Sequence, residues 1–122
     1  MPDGNVDLAG RHILIVEDDA LVGLGLVENL EELGAEVTWV TDLDAAIAAV
    51  GAQGELDLAV VDLNLDGVSS TPVIDCLNEA AVPVILCTGY DLELIEHRFQ
   101  HLARCEKPFT RAKIQHHLKA VL

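Results

Sequence analysis

The sequence has few aromatic and few basic residues. Aromatic side chains make up 3% of the 122 residues, with one Trp, one Tyr and two Phe. The core must therefore be built from aliphatic side chains, which is typical of a parallel sheet that helices cover on both faces. Only 7 basic residues balance 21 acidic ones, for a formal net charge of −14. Such a charge repels phosphate backbones and anionic lipids, which argues against direct binding to nucleic acid or membrane.

Long apolar runs and a targeting signal are also lacking. No apolar run approaches the roughly 18 residues of a membrane span, and the N-terminal stretch MPDGNVDLAG has neither a basic region nor an apolar core. Cys76, Cys87 and Cys105 lie in apolar surroundings, at no spacing typical of a metal site. An odd number of cysteines without a signal peptide favours reduced, packed thiols. We therefore expect a cytoplasmic protein.

Short aliphatic runs alternate with segments of helical periodicity. The aliphatic runs predict five strands, at 12–17, 36–40, 58–62, 82–88 and 103–106. The periodic segments predict five helices, over about 20–33, from Asp42 to Gly51, from Ser69 or Ser70 onward, around 92–102 and around 114–121. Such alternation indicates right-handed βαβ units and a parallel sheet. We predict one α/β domain of the (βα)5 type over residues 11–122, preceded by a flexible tail at residues 1–10.

Polar side chains gather where these strands end. The first strand is followed by Glu17, Asp18 and Asp19, the third ends at Asp62, the fourth ends at 88-TGY-90 and the fifth is followed by Lys107. In a parallel sheet all these ends lie on one edge of the domain. Clustered carboxylates repel each other unless a divalent cation neutralises them. Oxygen ligands from so few residues, with room for water, suit Mg²⁺ better than a calcium cage.

The stretch 62-DLNLDG-67 also matches the opening of an EF-hand calcium loop. That interpretation fails because the twelfth loop position is Val73 instead of Glu, and because a strand precedes the loop. A haloacid-dehalogenase nucleophile loop would end the first strand of a larger domain, whereas Asp62 ends the third. A histidine phosphotransfer module would be all-helical, which the strands exclude.

Four motifs together resemble the receiver domain of two-component response regulators. They are 13-ILIVEDD-19, Asp62, Thr88 and 107-KPF-109, in this order and each at a strand end. The resemblance covers about residues 11–122, practically the whole chain. It implies a flavodoxin-like, doubly wound sheet of five parallel strands in the order 2-1-3-4-5, with helices on both faces.

The resemblance also assigns roles at the acidic cluster. Asp62 is the implied phosphoacceptor, which takes a phosphoryl group from a phosphohistidine of a histidine kinase or a histidine phosphotransfer protein. Asp18 and Asp62 are the implied Mg²⁺ ligands, with Glu17 assisting through water. The backbone carbonyl of Asn64 is expected to supply one more metal oxygen.

Two further roles concern the phosphoryl group itself. Thr88 is implied to meet a phosphoryl oxygen and Lys107 to pair with the acyl phosphate, so that charge is neutralised during transfer. The resemblance implies a signalling domain, which promotes its own phosphorylation and dephosphorylation, and not an enzyme that turns over a separate substrate. Since no output domain fits in 122 residues, we expect a stand-alone receiver that acts by protein contact or onward phosphotransfer. The alternatives are a phosphate sink and a receiver-like module that binds a partner without being phosphorylated.

The chain departs from the usual receiver pattern after the phosphoacceptor. Most receivers have a longer D-x-x-M-P-x-x-[DN]-G loop, whereas here Gly67 arrives three residues early, so the backbone must turn differently. Arg104 occupies the position three residues before Lys107 where receivers usually carry an aromatic. The segment 88-TGY-90 resembles a subgroup with an F-A-T-G-x-Y-like motif on the fourth strand, although the leading Phe is missing. We hypothesise that Tyr90 and the loop to about Glu93, together with Thr88, carry the response to phosphorylation.

The substitution Tyr90→Ala tests this hypothesis. Because Tyr90 lies two residues after Thr88, which carries the phosphoryl-binding hydroxyl, removal of its ring should leave phosphorylation of Asp62 intact and abolish the conformational change that phosphorylation causes. Spectra of the phosphorylated and unphosphorylated forms of the variant should then coincide. A variant that still switches like the wild type would contradict the hypothesis.

Overall fold

The structure is a computed structural model and describes residues 6–52, 55–88, 102–106 and 110–121. Its strands are β1 (His12–Val16), β2 (Glu36–Val40), β3 (Leu58–Asp62), β4 (Asn64–Leu65), β5 (Val68–Ser69), β6 (Val84–Thr88) and β7 (Ala103–Glu106). Its helices are α1 (Ala20–Glu32), α2 (Leu43–Ala52), α3 (Thr71–Glu79) and α4 (Arg111–Val121). The predicted helix around 92–102 lies largely outside the described residues.

Five strands form one parallel sheet in the order β2-β1-β3-β6-β7. Counted along the chain, these five parallel strands have the predicted order 2-1-3-4-5, and β2 lies at an edge. The two short strands β4 and β5 form a separate antiparallel hairpin between β3 and α3, which the sequence analysis did not predict. The predicted α/β fold is therefore confirmed, with one added element.

The core consists of two aliphatic clusters, one on each face of the sheet. Successive residues of β1 alternate between them, since Leu14 and Val16 belong to one cluster and Ile13 and Ile15 to the other. The central strand β3 is buried along its whole length. A strand covered on both faces reads as a continuous apolar run, which explains how few aromatic residues the fold needs.

Several boundaries differ from the predicted ones by one to three residues, among them the start of β6 and the end of α2. The strand β6 begins at Val84, two residues later than predicted, because the Val82 N–H bonds to the Leu77 carbonyl, 2.9 Å away, and Pro83 has no N–H. The helix α2 continues through Gly51 to Ala52 and does not end at the glycine. Within the described part of the chain, none of the helices has the length and apolar character that a bilayer span requires.

The segment before β1 is packed against the domain from Val6 onward. Leu8 has an exposed fraction of 0% and belongs to the same cluster as Ile13 and Ile15. Its N–H bonds to the Leu33 carbonyl at 2.8 Å, and the Val6 N–H bonds to Oε1 of Gln115 at 3.1 Å. The prediction of a flexible tail is thus wrong for residues 6–10. Full burial of a leucine side chain contributes about 1.5–3 kcal/mol, and this burial anchors the segment.

Caps define the helix ends near the site. The side chain of Asp19 accepts backbone N–H groups of Leu21 and Val22 at the start of α1. Asp42 accepts the Ala45 N–H at 2.8 Å in the same way at the start of α2. Ser70 holds the predicted cap position of α3, but its hydroxyl makes no capping hydrogen bond. Both carboxylate caps fix the chain direction directly after a strand end.

Gly23 lies in the first turn of α1 directly beneath the indole of Trp39. A Cβ at Gly23 would lie only 2.1 Å from the nearest indole carbon. The indole N–H in turn donates to the backbone carbonyl of Glu17 at 2.9 Å. The glycine therefore provides the space for a close contact between α1 and β2. Gly25, two positions further along the same helix, has no atom from outside the neighbouring helix backbone within 4 Å of its own added Cβ.

The pair Gly23→Ala and Gly25→Ala tests this contact. We expect Gly23→Ala to lower the free energy of unfolding by about 1–3 kcal/mol, since the new methyl group displaces the Trp39 ring. Gly25→Ala is the matched control and should raise the free energy of unfolding by up to about 1 kcal/mol through helix propensity alone. Urea denaturation of both variants provides the measurement. Equal effects at the two positions would contradict the packing account.

Candidate functional site

Three carboxylates lie together at the carboxyl edge of the sheet. Glu17 and Asp18 directly follow β1, and Asp62 is the last residue of the neighbouring strand β3. One carboxylate oxygen from each residue lies within 4.8 Å of the other two. The structure thus brings these three predicted site residues together through the pairing of adjacent parallel strands.

The carboxylates differ in how much solvent they meet. Glu17 has an exposed fraction of 1% and Asp62 of 8%, whereas Asp18 is exposed. Backbone donors meet the two buried groups, since Oε2 of Glu17 accepts the Asp19 N–H at 3.1 Å and Oδ1 of Asp62 accepts the Asn64 N–H at 3.2 Å. Buried charges require such partners, because desolvation is otherwise costly. The site is therefore shielded from solvent at Glu17 and Asp62 and open to solvent at Asp18.

The other predicted site residues lie at or beyond the ends of β6 and β7. Thr88 is the last residue of β6 and pairs with Glu106, while Asp62 pairs with Cys87 one position earlier. The backbone of Thr88 therefore lies at the same edge of the sheet as Asp62. Lys107 and Tyr90 lie outside the described residues, and their roles stay predictions.

The shortened loop after Asp62 is a two-residue β-hairpin. Its turn residues Asp66 and Gly67 have positive φ values of 53° and 85°, the left-handed pair that a type I′ turn requires. Oδ1 of Asn64 accepts the Gly67 N–H at 2.6 Å, which closes the turn. The backbone after Asp62 thus turns differently from the usual longer receiver loop, as expected. An Asp-Gly pair between the apolar Leu65 and Val68 is a sequence signal for this hairpin, which was not among the predicted elements.

The hairpin also determines where the backbone of Asn64 points. The Ser70 N–H bonds to the Leu63 carbonyl at 3.1 Å, so Leu63 and Ser70 form a hydrogen-bonded pair of the antiparallel ladder. Bonded and non-bonded pairs alternate in such a ladder, so Asn64, opposite Ser69, belongs to a non-bonded pair. Its N–H and C=O therefore point away from β5, and its N–H meets Asp62. The carbonyl of Asn64 faces the same side of the strand as that carboxylate.

An open cleft lies beside the acidic cluster. Its volume is about 580 Å³, and it is lined by Asp18, Thr41, Asp42, Leu65, Asp66 and Val68. These residues come from the ends of β1 and β2 and from the hairpin. The exposed carboxylate of Asp18 is thereby accessible to a ligand or a partner side chain that enters from solvent.

The donor set is suited to a hard divalent cation. Carboxylate oxygens of Glu17, Asp18 and Asp62 are the ligand type that Mg²⁺ prefers, and Mg²⁺ usually keeps several waters that the open side at Asp18 leaves room for. No sulfur or imidazole ligand belongs to this cluster among the described residues, so a zinc-type site is not indicated. Asp18 and Asp62 could hold the ion directly, and the buried Glu17 could assist them.

Comparison with protein families identifies one matching model. A model described as the response regulator receiver domain matches residues 13–119. The transcriptional regulatory protein QseB of Haemophilus influenzae is 33% identical over 118 residues, covering 90% of this chain and 52% of QseB. The sensory transduction protein RegX3 of Mycobacterium tuberculosis is 34% identical over 114 residues, covering 90% of this chain and 50% of RegX3. The chain therefore spans about half the length of these curated relatives.

Solved structures with the same fold include proteins of similar length. The solution structure of SdrG from Sphingomonas melonis Fr1 is 32% identical, has a TM-score of 0.79 and is covered to 98%, as is this chain. A receiver domain described as CheY-like from Methylobacillus flagellatus is 25% identical with a TM-score of 0.79, and the match covers 92% of this chain and 98% of that one.

The substitution Asp18→Asn tests the electrostatics of the cluster. Without divalent cations it should raise the free energy of unfolding by a few tenths to about 1 kcal/mol, because one of three repelling carboxylates becomes neutral. In excess Mg²⁺ the order should reverse, with the wild type the more stable protein, since the variant lacks a ligand. Urea denaturation in EDTA and in Mg²⁺ provides both values.

The control for this prediction is Glu28→Gln. Glu28 is exposed on α1 outside the cluster, so its neutralisation changes the net charge by the same amount. It should leave the Mg²⁺-dependent gain in stability at the wild-type value. A loss of that gain in Glu28→Gln would mean that Mg²⁺ acts through the overall charge and not through the cluster.

Proposed function

Because the chain belongs to the response regulator receiver domain family, we propose that it accepts a phosphoryl group on Asp62 from a phosphohistidine of a sensor kinase or a histidine phosphotransfer protein. The observation that carries this proposal is the meeting of Glu17, Asp18 and Asp62 within 4.8 Å at the carboxyl edge of the sheet. Two of these carboxylates are buried, a costly arrangement that a fold does not need for its own stability.

The proposed step is a nucleophilic displacement at phosphorus. An Asp62 carboxylate oxygen forms the new O–P bond while the P–N bond to the donor imidazole breaks, and the electron pair of that bond stays on the imidazole nitrogen. The hydrogen bond from the Asn64 N–H to Oδ1 of Asp62 orients the carboxylate for this attack. The burial of Asp62 limits its access to water, so the donor must approach from the open side near Asp18.

Charge neutralisation is the second requirement of phosphoryl transfer. Bound Mg²⁺ would offset the charges of the phosphoryl oxygens and of the receiving carboxylate. Asp18 and Asp62 would hold the ion, with Glu17 assisting through water and the Asn64 carbonyl as a further ligand. The side of the hairpin that the Asn64 backbone faces supports this last assignment.

Two side chains complete the proposed site. The hydroxyl of Thr88 would meet a phosphoryl oxygen, which the pairing of β6 beside β3 supports at the level of the backbone. Lys107, which follows the last residue of β7 in the sequence, would pair with the acyl phosphate. We place the reaction in the cytoplasm, and the free thiol of Cys76 suits a reducing compartment.

Incubation with acetyl phosphate and Mg²⁺ tests the proposal. The wild type should gain one phosphoryl group by intact-mass spectrometry, and Asp62→Asn should gain none, because the amide is not a nucleophile toward phosphorus. EDTA should slow the modification strongly, since the charges are then no longer offset.

The matched control is Asp66→Asn, which removes a carboxylate from the same short segment. Asn tolerates the left-handed backbone of that position, so the hairpin should persist and Asp62 should still be modified. Modification that persists in Asp62→Asn would refute the assignment of the acceptor. A wild type that gains no phosphoryl group under any of these conditions would favour a module that binds its partner without phosphorylation.

A further inference from the structure

The turn that carries Asp18 is held by Trp39 of the neighbouring strand. The indole N–H of Trp39 donates to the backbone carbonyl of Glu17 at 2.9 Å. The ring of the same side chain packs on Gly23 in the first turn of α1. One side chain therefore contacts the chain on both sides of Asp18, at Glu17 directly before it and at Gly23 in the first turn of the helix that follows.

Backbone and side-chain hydrogen bonds complete this turn. The Glu17 N–H bonds to the Val40 carbonyl at 3.1 Å and continues the pairing of β1 with β2. The Asp19 N–H bonds to Oε2 of Glu17 at 3.1 Å, and the Gly23 N–H bonds to the Asp19 carbonyl at 2.9 Å. Asp18 is thus the exposed residue between two fixed neighbours.

The cluster needs such a fixed turn because its members repel one another. Asp18 is exposed and is joined to the buried pair through the backbone of the turn, so repulsion would drive it outward toward solvent. A flexible turn would hold Asp18 far from Asp62 and would lose freedom when both carboxylates meet one cation. A turn that is already fixed avoids this cost, and the affinity rises accordingly.

We infer that Trp39 is a positioning residue of the metal site, whose indole N–H and ring hold the Glu17–Asp19 turn so that Asp18 stays beside Asp62. This inference rests on the proposed Mg²⁺ site and adds a residue that contacts neither the ion nor the phosphoryl group. It also explains the glycine in the first turn of α1, since no larger residue leaves room for the indole.

The substitution Trp39→Phe removes the indole N–H and keeps an aromatic ring over Gly23. Urea unfolding, followed by far-ultraviolet circular dichroism, gives the free energy of unfolding in EDTA and at a series of Mg²⁺ concentrations. The increase in the free energy of unfolding at each Mg²⁺ concentration depends on the dissociation constant of the folded protein for Mg²⁺. This gain is separate from any loss of metal-free stability. We expect the Mg²⁺ dissociation constant to rise about two- to tenfold, as the loss of one hydrogen bond predicts.

Thr38→Val is the matched control. It removes the 2.8 Å contact between Oγ1 of Thr38 and Nε2 of His12, which joins the same two strands away from the carboxylates. Its metal-free stability should fall while its Mg²⁺ dissociation constant stays at the wild-type value. Gly23→Ala, which displaces the ring from the other side, should weaken Mg²⁺ binding as Trp39→Phe does.

The outcomes separate the inference from the proposed function. A Trp39→Phe protein that binds Mg²⁺ as tightly as the wild type would overturn the positioning role and leave the metal site standing. If Thr38→Val weakened Mg²⁺ binding as much as Trp39→Phe, the positioning role of Trp39 would be overturned too. Any loosening of the contact between β1 and β2 would then be enough to weaken Mg²⁺ binding. A wild type that gains no stability from Mg²⁺ would overturn the metal site itself, and the inference with it.

Discussion

Electrostatic repulsion among three carboxylates is the constraint around which this domain is arranged. Oxygens of Glu17, Asp18 and Asp62 lie within 4.8 Å of one another, and two of the three side chains are buried. Such an arrangement persists only where the surrounding structure enforces it. Adjacent parallel strands fix the positions of the Cα atoms, and backbone N–H groups compensate for lost hydration. The repulsion that remains favours the binding of a cation.

The aliphatic sheet supplies the rigidity that this edge requires. Strand β3 is covered on both faces and paired on both sides, so Asp62 extends from a segment that its neighbours hold on all sides. Glu17 follows β1, which is paired with β2 and β3. Reactive groups are positioned best when they extend from packed elements. Buried, paired strands therefore lead directly into the three clustered carboxylates.

The alternation of elements was sufficient to predict the meeting of Asp62 with the residues after β1, because the carboxyl ends of parallel strands share one edge of the sheet. The strand order was predicted from the resemblance to receiver domains. Contacts set by shape were not predictable in the same way. The packing of Trp39 on Gly23 depends on the distance between α1 and β2, and a glycine within a helical pattern indicated only that something was unusual. Leu8 was assigned to a flexible tail because one apolar residue among polar neighbours gives no periodicity.

The hairpin after Asp62 restricts how the length of this loop can change in evolution. Side chains and backbone groups alternate with a period of two along its short ladder. Insertion of a single residue between Asp62 and Asn64 would shift Asp62 by one position relative to the ladder, so that the carbonyl two residues after Asp62 would face β5. An insertion at the turn would instead replace the left-handed pair at Asp66 and Gly67. Homologous chains that keep this hairpin should therefore vary the segment before its turn in steps of two residues.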